Sequence, residues 1–160
     1  MDYLIIVERQ FSYTRNILLA RKSQFQESFE NSVFEGEPTA ADVYIHGITS
    51  LYNSCAKILE TNESRFNLEI NKELDLPEQY IDLYERTLQI LKETQQKMTN
   101  EDLNKYIVHP LNPDTKISLL KWIGLNVMHT VTHVGQALRL QSLYIRNRLD
   151  APISGSSSDK

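Results

Sequence analysis

The segment MHTVTHVGQALRLQ, Met128 to Gln141, holds two of the four histidines in the chain. His129 and His133 are four residues apart in a run that otherwise reads as helix. At that spacing both side chains lie on one helix face, a turn apart. Neutral imidazoles placed this way can converge on one divalent ion, at Zn–N distances of roughly 2.0–2.1 Å. The pair also has a structural reading, in which each ring hydrogen-bonds a neighbour in the core. HxxxH supplies only two ligands, and a stable site needs a third. The candidates are His46, His109 and the carboxylates. His109 precedes Pro110 in a loop and reads as an ordinary exposed side chain. His46 falls on the side of Asp42, Thr49, Ser50 and Asn53, almost opposite a stripe of Ile45, Ile48 and Tyr52. By pattern that side is a solvated face, unless it lines an open cleft at one end of a bundle.

No motif offers a competing chemistry. The chain has no Ser/His/Asp order, no phosphate-binding glycine loop and no CxxC. Cys55, the lone cysteine, lies on the apolar stripe and reads as a small core residue. Glu101 and Asp102 read as helix-start residues. Gly135 is small enough to admit a neighbouring helix. Gln136, one turn beyond His133, is placed to orient a ligand or to serve at the surface or in packing.

The elements that must position these residues are helical. Five glycines and five prolines in 160 residues leave long uninterrupted stretches, and their apolar positions recur at helical spacing. A first helix is expected from Tyr3 to Ser32, followed by a VFEGEPTA loop. TAAD caps a second helix from Thr39, with a stripe of Ile45, Ile48, Tyr52, Cys55 and Leu59. A polar loop covers Thr61 to Leu76. Pro77 opens a third helix, whose inner face carries Tyr80, Leu83, Tyr84, Thr87, Leu88, Leu91, Thr94 and Met98. TNED at 99–102 caps a short helix through Tyr106, and VHPLNPD is a loop. The last helix is expected from Asp114 or Thr115 to about Leu149. On it Lys121, Thr132, Arg139, Ser142 and Arg146 face water. Trp122, Leu119, Tyr144, Leu140 and Ala137 face inward, with His129 and His133 in that half and Asn126 and Gln136 beside them. Residues 1–149 form a single all-α domain, a four-helix bundle with no credible strand, and 150–160 form a disordered tail.

Whole-chain properties narrow the function. Net charge is −4, from 17 basic and 21 acidic residues. That balance argues against broad electrostatic binding to nucleic acid or an anionic membrane. One cysteine excludes an internal disulfide and suits the cytoplasm. MDYLIIVERQ lacks the basic start and longer apolar run of a signal peptide, and no run approaches the roughly 18 apolar residues of a membrane span. The first-helix aromatics spread over more than one face, from Tyr3, Phe11 and Tyr13 to Phe25 and Phe29, with Phe34 in the loop. One bundle buries only part of that spread, so a homodimer is expected.

MHTVTHVGQ resembles the HxxxHxGQ signature late in the last helix of the DinB/YfiT-like superfamily. TNEDLNKYIVHPLNPDTKISLLKWIGLNV resembles that family's short acidic helix, loop and entry into the last helix. VYIHGITSLY resembles its second-helix segment, with His46 lying 83 residues (129 − 46) before His129. The resemblance reaches to about Leu149. It implies a bundle of up-down-down-up topology, often dimeric, whose histidine triad binds nickel or zinc. Carried over, the triad is His46, His129 and His133. One position departs from the pattern: where such proteins often have arginine or histidine before the glycine, this chain has Val134.

Three neutral histidines leave at least one coordination position open, as in catalytic rather than structural zinc sites. By analogy with relatives, some of them thiol transferases or isomerases, the resemblance implies a metal-dependent enzyme, a transferase or hydrolase, with transfer of a metal-activated low-molecular-weight thiol to a small electrophilic substrate as the first reading. The alternatives are a non-catalytic metal-binding stress or interaction protein and a metal-free helical binding module. No residue is assigned a catalytic or thiol-binding role.

Overall fold

A computed structural model describes residues 3–20, 25–59, 76–109 and 112–149. The described chain is mostly helical. Of the helix expected over Tyr3–Ser32, Tyr3–Ala20 (α1) and Phe25–Glu30 (α2) are helical, residues 21–24 lie outside the described residues, and the helix ends at Glu30 rather than Ser32. Gly36 takes a positive φ of 81° in the loop that follows, a conformation that costs glycine little. α3 spans Ala40–Leu59 and starts as expected. The Thr39 hydroxyl accepts from the Asp42 amide at 3.0 Å, and the Asp42 carboxylate accepts from the Thr39 amide at 2.9 Å. α4 covers Leu76–Lys97 with Pro77 in its first turn. The expected Thr61–Leu76 loop up to residue 75, and the tail at 150–160, lie outside the described residues.

The reading between α4 and the last helix needs correction. Thr99 and Asp102 form a reciprocal cap on α5, Asn100–Asn104, but the helix stops there instead of reaching Tyr106. The chain then forms a hairpin where a loop was expected: β1, Tyr106–His109, runs antiparallel to β2, Asn112–Ser118. Tyr-Ile-Val is a β-favouring run, and Ile107 lies opposite Ile117. Asn112, Lys116, Ile117 and Ser118 are thereby paired with β1, and α6 starts at Leu119 rather than near 114. The Ser118 hydroxyl caps it by accepting from the Lys121 amide at 3.3 Å. α6 then runs to Leu149, as expected.

α6 packs most extensively along α3, α3 also packs on α4, α4 on α1, and α1 on α6. Pairs between α3 and α6 step in opposite directions, Gly47 with Thr130 and Ser54 with Asn126. Pairs between α3 and α4 step together, Tyr44 with Tyr80 and Cys55 with Thr94. The core centres on aromatic rings. Phe29, Tyr44 and Tyr80 meet edge to face, with centroids 4.8 to 5.6 Å apart, contacts that add roughly 0.5–1.5 kcal/mol each beyond area burial. The Tyr44 hydroxyl donates to the Tyr80 carbonyl at 3.0 Å, so its buried polar end is satisfied.

Two apolar faces are rotated from their expected positions. On α3 the buried side is broader than the expected stripe and includes Tyr44 and Leu51. On α6 the buried centre is Ile123, Val127, Thr130, Val134, Leu138 and Gln141; of the residues expected inward Ala137 is buried, whereas Trp122, Leu119, Leu140 and Tyr144 are only half-buried. His129 and His133 therefore flank the core rather than sit within it.

Candidate metal centre

The site lies on the seam between α3 and α6, and a glycine makes it possible. An added Cβ on Gly47 would stand 2.5 Å from the His133 Cβ, closer than real carbon atoms approach. The missing side chain lets the two helix backbones come together. Thr130 fastens the contact, because its buried hydroxyl lies 2.8 Å from the Gly47 carbonyl as well as 2.9 Å from that of Asn126. A turn further along, the Ser54 hydroxyl donates to Asn126 Oδ1 at 2.9 Å, while Asn126 Nδ2 donates to the Trp122 carbonyl. Asn126 is thus committed to the seam and not to the histidines.

This close approach gathers His46, His129 and His133. One ring nitrogen from each lies within 4.8 Å of the others. Among the described residues no other group of three His, Cys, Asp or Glu side chains converges this way. His46 is exposed, as its helix face suggested, and His129 and His133 are half-buried. The exposed face and the shared site are compatible because the seam is open to solvent on that side. Ring centroids are 4.3 Å apart for His129–His133, 5.0 Å for His46–His133 and 5.2 Å for His46–His129.

The donor set suits a divalent ion. Two nitrogens bound tetrahedrally at about 2.05 Å stand about 3.3 Å apart, and Nε2 of His46 and Nε2 of His129 are 3.3 Å apart. His133 Nδ1 is buried without a hydrogen-bond partner. Such orphans are rare, and a missing ion is one recognised reason for them. Partial burial, then the neighbouring His133 and His46, lower the His129 pKa. The ring therefore favours the neutral form that a ligand requires.

The remaining sequence candidates fall elsewhere. His109 is not an ordinary exposed side chain: it lies on β1, half-buried, its ring 5.4 Å from that of Trp122 in a T-shaped contact. Cys55 is fully buried, and burial pushes its thiol up to about 11, so it is not a nucleophile near neutral pH. Gly135, expected to admit a helix, is exposed with nothing within 4 Å of an added Cβ. Gly47 and Thr130 are the residues that sequence reasoning missed. A glycine inside a helix costs roughly 0.8–1 kcal/mol relative to alanine, and that cost was the available signal.

Comparisons with family models, curated proteins and solved structures find no match to this chain.

Proposed function

We propose that this chain is a divalent-metal-binding protein whose ion is held by His46, His129 and His133. The single observation that carries the reading is the convergence of three ring nitrogens from two helices within 4.8 Å. Nickel or zinc suits an all-imidazole donor set. Three neutral ligands leave a coordination position free, and the exposed His46 side leaves it reachable. A bound ion would lower the pKa of a water or thiol held at that position. The chain's own part is to hold three rings converged: Gly47 lets the helices approach and Thr130 locks them together.

The reading extends to a DinB/YfiT-like four-helix bundle of up-down-down-up topology. The opposite stepping of α3 against α6 and the common stepping of α3 with α4 support it. On that basis the activity is metal-dependent transfer of a low-molecular-weight thiol to a small electrophile, in the cytoplasm and as a homodimer. Among the described residues no helix is long and apolar enough to cross a membrane.

Elemental analysis of protein purified without added metal tests the centre. Bound nickel or zinc close to one ion per chain is expected, and its loss in both His129→Ala and His133→Ala. Metal retained by both variants would overturn the site. A thiol-transfer assay with several thiols then separates an enzyme from a non-catalytic metal-binding protein, the reading to which metal uptake without turnover would lead.

A further inference from the structure

The histidine face of α6 continues past the triad. His129, His133, Gln136, Leu140 and Leu143 follow at steps of four, three, four and three residues, which is one helix stripe. Its last three members line a cleft of about 500 Å³, closed on the other side by Val43 of α3 and by the loop residues Phe34 and Glu37. Val43 stands one turn before His46, and Gln136 one turn after His133, so the cleft and the triad lie about one helical turn, roughly 5.4 Å, apart on the same seam. The volume falls within the roughly 300–1,000 Å³ range of small-molecule sites.

Its lining has the mixed character of such a site. Phe34 leaves 63% of its surface exposed at the lip, an apolar area that a ligand would cover. Arg139 also lines the cleft. Neither its guanidinium nor the Gln136 amide has a hydrogen-bond or ion-pair partner among the described residues. Arginine is suited to a planar carboxylate, which it can bind through two parallel hydrogen bonds. Glu37, on the loop side, repels a second negative charge.

We propose that this cleft binds a monoanionic organic molecule, its carboxylate on Arg139 and its apolar body against Phe34, Val43 and Leu140. The molecule's role as substrate of the metal centre rests on the function proposed above. The binding itself does not.

The probe is 2-naphthoate, followed by ligand-observed NMR and naphthalene fluorescence on the full chain, with and without chelator. A fragment of this size is expected to bind with Kd on the order of 1 mM. 2-Naphthylmethanol and naphthalene-2,6-dicarboxylate should bind more weakly. Arg139→Gln should weaken naphthoate roughly tenfold and leave naphthylmethanol unchanged. Val33→Trp, a loop substitution at the cleft wall, should block both. With cobalt(II) in the triad, bound naphthoate signals should broaden, and with zinc they should not. Naphthoate binding that ignores Arg139→Gln and Val33→Trp overturns the proposal even if the metal centre is real. Arg139-dependent binding in a protein that takes up no metal supports the cleft and overturns the metal reading instead.

Discussion

Gly47 and Gly135 are both glycines within helices, yet they sit in opposite surroundings. At Gly47 a methyl group would stand 2.5 Å from the His133 Cβ. Gly47→Ala should therefore cost roughly 1–3 kcal/mol through overpacking and displace His133, weakening metal binding. At Gly135 nothing lies within 4 Å of the new carbon. Gly135→Ala should gain up to about 1 kcal/mol from helix propensity, with metal affinity intact. Urea unfolding and zinc titration of both variants make the comparison. Equal behaviour of the two would mean that the helices do not meet at Gly47 as described.

At the scale of elements, α3 carries His46, and its first turn is fixed by the reciprocal Thr39–Asp42 cap. Thr39→Ala removes the hydroxyl that accepts from Asp42 and should cost about 1 kcal/mol of stability. The cap lies about two helical turns from His46, so metal stoichiometry should not change. A denaturation midpoint identical to the parent's would show that the cap carries no weight. The hairpin acts on α6 in a similar way: by pairing Lys116, Ile117 and Ser118 with β1 it sets the first helical residue at Leu119.

For the whole molecule, the buried ionisable groups set the alkaline limit. Burial raises the Cys55 thiol from 9.0 to about 11 and pushes the hydroxyls of Tyr44, Tyr80 and Tyr84 upward. A folded pKa above the unfolded one means that the native state holds its proton more tightly. The contribution is complete below the unfolded value and lost as pH climbs through the folded one. For Cys55 the window is about pH 9 to 11, and two units correspond to roughly 2–3 kcal/mol. Stability should fall above about pH 9, with a shallower fall in Cys55→Ala; a melting temperature unchanged to pH 11 would contradict this.

The ion, by contrast, should not be needed for folding. The aromatic and aliphatic core contains none of the three histidines, so chelator-treated protein should still melt cooperatively. Zinc at 100 times its Kd should add about 2.7 kcal/mol. Unfolding on chelation alone would make the metal structural. Tyr13, with 60% of its surface exposed on α1, is consistent with the proposed dimer. Light scattering decides it: a mass near 18.6 kDa across the micromolar range would exclude the dimer, and one near twice that would support it.

The sequence by itself determined what depends on neighbours along the chain. Helix periodicity marked α3, α4 and most of α6, Thr39 and Asp42 marked a cap, and the four-residue spacing of His129 and His133 put them on one face. It missed the hairpin, because Tyr106–His109 and Asn112–Ser118 are short and become strands only by pairing with each other. It placed the buried centre of α6 on the wrong arc, because periodicity gives a stripe but not the angle at which a neighbouring helix meets it. His46 shows the limit most clearly. Its polar helix face reads correctly as exposed, yet that face stands beside His129 across 83 residues. Only the close crossing at Gly47, a contact between two distant segments, decides that an exposed histidine and a half-buried pair form one site.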